Sequence, residues 1–108
     1  MSSISISRIK SLAHDHKEEI ISIRHHLHAH PELSFEEKET SNFISQKLTS
    51  WGIAHQSNVG GYGIVGLIEG KNKGKKCVAL RADMDALPIL EKNELPYKSK
   101  REGVMHAC

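Results

Sequence analysis

The apolar residues of this chain change period at Gly52, and that change sets what the chain can fold into. Before it they recur in three- and four-residue steps, the spacing of a helix face; after it they alternate or run continuously, as in strands. Over residues 6–29, Ile9, Leu12, His16, Ile20, Ile23 and Leu27 share one face and predict a single helix. Pro31 ends it, because proline lacks an amide donor and disfavours the helical conformation at His30. A second helix is expected from Ser34, where Ser34-Phe35-Glu36-Glu37 has the pattern of a capping box. Its stripe of Thr40, Phe43, Ile44, Leu48 and Trp51 stops at Gly52, a residue suited to the left-handed position just past a helix end.

Beyond Gly52, strands are expected over 53–59, 62–69 and 76–82, with the polar GKNKGK of 70–75 as a hairpin turn. The unbroken apolar Cys77-Val78-Ala79-Leu80 predicts a third strand covered on both faces, with Cys77 in the core. VMHAC at 104–108 opens a further strand. Two helices followed by a hairpin-containing sheet make an α/β chain, with both helices on one side of a small sheet.

Several functions are excluded early. A net charge of +2, from 15 basic and 13 acidic residues, leaves no broad electrostatic footprint for nucleic acid. No apolar run reaches the length of a membrane span and the first residues lack a signal-peptide core, so a cytoplasmic, non-membrane protein is expected. Two cysteines, one expected in the core, do not make a disulfide framework.

Three motifs mimic binding sites. Gly61, Gly63 and Gly66 match a dinucleotide-binding glycine pattern, with Asp83 at a fitting distance, but the residues that follow are β-formers where a helix is required. GKNKGKK has too few residues between its glycines for a phosphate-binding loop and no Ser or Thr after its lysine. Eight histidines are many for this length, and four lie in HHLHAH at 25–30. His26 and His30 are one helical turn apart, yet no glutamate lies between them to act as a base. Packing at a helix end, where positive charge complements the helix dipole, accounts for them better.

The chemistry concentrates in RADMDALP and VMHAC. Asp83 and Asp85 stand at the carboxyl end of the expected third strand, the edge where open α/β sheets bind ligands. On these eight residues alone, a polar loop with an aspartate capping the following turn explains the pattern equally well. His106 and Cys108 add two side chains able to bind metal, though two such groups are fewer than a structural zinc site needs.

Taken in order, RHHLHAHPELSFEEKET, GGYGIVGLIEG, ALRADMDALPILE and GVMHAC resemble the amino-terminal part of the M20 metallopeptidase family, in the amidohydrolase branch of hippurate hydrolases, N-acyl-amino-acid deacylases and auxin-conjugate hydrolases. The resemblance runs from about Arg24 to Cys108. It implies that residues 1–108 are the amino-terminal portion of a two-metal catalytic domain, with the rest of that domain and a lid or dimerisation domain outside them. It implies two divalent ions, zinc or manganese, with Cys108 as a thiolate ligand. By the same resemblance Asp85 orients the metal site without being its main anchor, and Asp83 stands where other branches carry a ligand histidine. The general-base glutamate and the other ligands would lie beyond Cys108. The implied activity is hydrolysis of the amide bond in N-acyl amino acids or similar small amides by a homodimeric full-length protein, the 108 residues alone being inactive. The alternative is a small non-enzymatic domain that ends at Cys108 and binds metal or a partner weakly.

Overall fold

The computed structural model describes residues 4–72 and 74–108. Ser5 opens the first helix, its hydroxyl accepting from the Arg8 amide at 3.3 Å. The elements are α1 (Ile6–Asp15), α2 (Lys17–Ala29), α3 (Lys38–Ser50), β1 (Ala54–Val59) and β2 (Gly63–Leu67).

The single helix expected over 6–29 is therefore two. At His16 the backbone has ψ near zero (φ −95°, ψ −1°), and its amide is shared between the His14 and Leu12 carbonyls. The helical ladder restarts with the Ile20 amide on the His16 carbonyl. α1 buries no residue, so no packing holds the two axes in line. The apolar face that suggested a core helix is exposed at Ile6, Ile9 and Ile20.

α3 begins at Lys38 rather than Ser34, and the capping box does not form. Residues 33–36 make a turn closed by the Glu36 amide on the Leu33 carbonyl, with Phe35 in the left-handed region at φ 66°. That turn carries Ser34 away from the helix end. Glu32 takes its place: its carboxylate accepts from the Glu39 amide and from both the amide and the hydroxyl of Thr40. A carboxylate there also complements the positive end of the helix dipole. The far end of α3 agrees with the sequence. Gly52 has φ 68°, its amide bonds the Thr49 carbonyl, and the Ile53 amide bonds the Leu48 carbonyl, the paired bonds of a Schellman closure.

β1 and β2 pair antiparallel, Ala54 opposite Leu67 and Gln56 opposite Val65, with an irregularity before Val59 meets Gly63. The glycines of the dinucleotide-like motif serve this hairpin. Gly61 turns at φ 111°, and a Cβ on Gly63 would collide with the Val59 carbonyl. Ser45 of α3 hydrogen-bonds His55 of β1 at 2.8 Å, fastening helix to hairpin.

The third strand over 76–82 does not form. Val78 and Leu80 are 85% and 96% exposed, and Cys77 is exposed too, not a core residue. A strand needs a neighbour for its amides and carbonyls, and among the described residues none lies beside this one. The hairpin is thus one connection earlier than GKNKGK; Lys73, within that expected turn, is outside the described residues. Past this segment the chain returns to the body through two isolated bridges, Leu33 with Ala86 in parallel and Leu87 with Met105 in antiparallel. The expected strand over 104–108 is limited to that second bridge. The apolar core is small, with Ala29, Ala86 and Val104 as its buried members.

Candidate metal-site cleft

The end of α2 is fixed by what its histidines touch. The His28 imidazole shares its Nε2 proton between the two Glu91 oxygens, at 2.9 and 3.1 Å. Glu91 is 1% exposed at its side chain, and also accepts from the Ser99 amide at 2.8 Å and from Asn93 Nδ2 at 3.3 Å. Those bonds, the Ser99 amide foremost, hold its carboxyl below the usual range against the opposing effect of burial. The Lys100 amide closes on the Ala29 carbonyl. His25 stacks on Tyr97 at 3.8 Å, and His26 stacks on Phe43 and His30. The histidine run is a packing device, as its position at a helix end suggested.

An open cleft of about 880 Å³ lies between the α2–α3 pair, the hairpin and the 81–85 segment. Asp83, Asp85, His106 and Cys108 all line it, and His28 faces it from α2. The structure therefore brings together the four residues singled out from sequence. Two segments carry them: residues 81–85 bring Asp83 and Asp85, and the residues that follow the isolated Leu87–Met105 bridge bring His106 and Cys108.

Their environments differ. Asp83 is mostly exposed and pairs with Arg81 Nε at 3.1 Å. Asp85 is half-buried. Burial lowers the His106 pKa, positive charge on His28 lowers it further, and the charge and backbone of Asp85 work the other way. His106 Nε2 is buried without a hydrogen-bond partner. Cys108 is a free, exposed thiol.

Thiol, carboxylate and imidazole suit a divalent ion such as zinc, and carboxylates also admit manganese. The donors present fit one wall of such a site. Among the described residues, no group of three or more converges closely enough to hold an ion alone. Sequence reasoning missed Glu91. It closes the ALRADMDALPILE stretch, but its partner His28 lies 63 positions away and no local pattern links the two.

Residues 79–108 match the family model described as Peptidase family M20/M25/M40. The chain is 50% identical to the hippurate hydrolase of Campylobacter jejuni over 80% of its own length and 22% of that protein's. It is 46% identical to the N-acyl-L-amino acid amidohydrolase of Geobacillus stearothermophilus over 93% of its length and 27% of that protein's. Among solved structures it resembles the Bacillus subtilis YXEP protein, described as a dinuclear metal binding peptidase from the M20 family. That similarity has a TM-score of 0.78 at 42% identity, covering 84% of this chain and 25% of YXEP. The chain thus spans about a quarter of the length of these relatives.

Proposed function

We propose, from the premise that the chain belongs to the M20 peptidase family, that it forms the amino-terminal portion of the catalytic domain of a metal-dependent amidohydrolase. The observation that carries this reading is the meeting of Asp83, Asp85, His106 and Cys108 in one cleft. The substrates are N-acyl amino acids or similar small amides, the chemistry named in the hippurate hydrolase and the N-acyl-L-amino acid amidohydrolase. The full-length protein is a cytoplasmic homodimer with a separate lid or dimerisation domain.

Within this chain Cys108 supplies a thiolate ligand from the cleft wall, where its exposed sulfur is open to an ion. Asp85, half-buried beside His106, orients the donors around it. Asp83 lines the same cleft but is paired with Arg81, which offsets its charge. Two divalent ions, zinc or manganese, would polarise the amide carbonyl and activate a water. The general base and the remaining ligands lie on residues beyond these. The alternative of a self-contained small domain is disfavoured by the bare apolar segment at Val78 and Leu80.

The test uses the full-length protein with N-acetyl and N-benzoyl amino acids and added Mn²⁺ or Zn²⁺. Hydrolysis and bound metal are expected in the parent. Cys108→Ala should lose both, while Cys77→Ala should keep both. Equal metal stoichiometry in Cys108→Ala and the parent would sink the assignment.

A further inference from the structure

The buried charge of this chain lies outside the proposed ligands. Glu91, 4% exposed overall, has its carboxylate saturated by His28, Ser99 and Asn93. Removing a carboxylate from water is costly unless every oxygen is bonded, so such a group persists where it organises several segments at once. Its partners belong to different parts of the fold. His28 is the end of α2, and Ser99 begins the turn that leads to Cys108.

The connection continues through Ser99. Its hydroxyl meets the Val104 carbonyl at 2.6 Å and the Arg101 carbonyl at 3.0 Å, and the Arg101 amide returns to it at 3.2 Å. Val104 is buried, and the next residue, Met105, exchanges both backbone bonds with Leu87. That bridge ties the segment before His106 and Cys108 to the one that follows Asp85. A continuous set of bonds therefore runs from α2 through Glu91 and Ser99 to the segment that ends in the proposed thiolate ligand.

We propose that Glu91, together with His28, is a positioning residue for the metal site: it anchors the 99–108 segment to α2 and so holds the Cys108 thiol in the cleft that Asp85 also lines. The proposal rests on the reading of Cys108 as a ligand. Glu91 touches neither metal nor substrate; it acts through Ser99 and the Leu87–Met105 bridge. Groups that orient metal ligands set metal affinity without binding the ion themselves.

The test is a Cd²⁺ titration of the full-length apoprotein, following the ultraviolet thiolate-to-cadmium absorption that vanishes in Cys108→Ala. Glu91→Ala is expected to weaken this Cys108-dependent binding by about 10- to 100-fold. Glu91→Gln, which retains an acceptor for the Ser99 amide, should recover part of the loss, and His28→Gln should fall near it. Should Glu91→Ala be unfolded by circular dichroism, Glu91→Gln and His28→Gln decide the matter. Parental cadmium affinity in the folded variants overturns the positioning role and leaves the metal-ligand reading standing. A parent with no Cys108-dependent band overturns that reading, and the proposal with it.

Discussion

At the scale of single residues, chemistry is decided by surroundings more than by type. Cys77 and Cys108 are both exposed thiols, but only Cys108 lines the cleft with carboxylates and an imidazole. The acids divide likewise: Asp83 is spent on Arg81, whereas Glu91 is enclosed. Because its bonds hold the folded-state pKa of Glu91 below the ordinary 4.5, the folded protein binds fewer protons than the unfolded one in the acid range. Its contribution to stability is therefore complete above about 4.5 and is lost as pH falls through the lower folded value. Urea unfolding of the full-length protein between pH 7 and pH 3 should show a steeper acid loss for the parent than for Glu91→Gln. Parallel curves would mean that the carboxylate is not held as the structure shows.

At the scale of elements, what the sequence displayed depended on whether the bonds were local. The end of α3 at Gly52 was legible because a Schellman closure uses residues within one turn. The strands β1 and β2 were legible from their period, but their turn was not, since the glycines at 60–63 mimic a binding site and the hairpin was expected at GKNKGK. The start of α3 was not, since its cap comes from Glu32 across a turn bent by a left-handed Phe35, which no propensity foretells. The strand over 76–82 was misplaced for the opposite reason: its apolar run is genuine, but a strand is a property of two segments, and the second is missing among the described residues. The four cleft residues could be listed from sequence, whereas the shared cleft that all four line is a tertiary feature with no local signal. Glu32→Ala should accordingly destabilise the full-length protein by about 1–2 kcal/mol, the cost of a lost helix cap, and Ser34→Ala should leave stability within about 0.5 kcal/mol. Denaturant midpoints of the two variants distinguish them, and a reversed order would restore the capping box.

At the scale of the whole molecule, the chain is too open for its mass. Its accessible surface is 9071 Å², where a closed globule of 12.1 kDa exposes about 6000 Å². Its radius of gyration is 16.5 Å, against about 13 Å for a compact domain of this length. The excess is apolar in places that matter: Leu67 at the end of β2, and Ile68, Val78 and Leu80 after it, stand bare. A run of exposed aliphatic side chains such as Val78 and Leu80, with no strand beside it among the described residues, is a template for pairing with another chain. Expressed alone, the 108 residues should therefore self-associate in a concentration-dependent manner and unfold without a sharp transition, as sedimentation velocity and calorimetry would show. The same openness bears on activity, because an open cleft whose described donors form no group of three neither excludes water nor completes a metal site. No turnover of N-acetyl or N-benzoyl amino acids is expected from the isolated chain with Mn²⁺ or Zn²⁺. A sharp two-state transition in a monomeric sample, or measurable hydrolysis by it, would show that these residues close a core by themselves, contrary to the surface they expose.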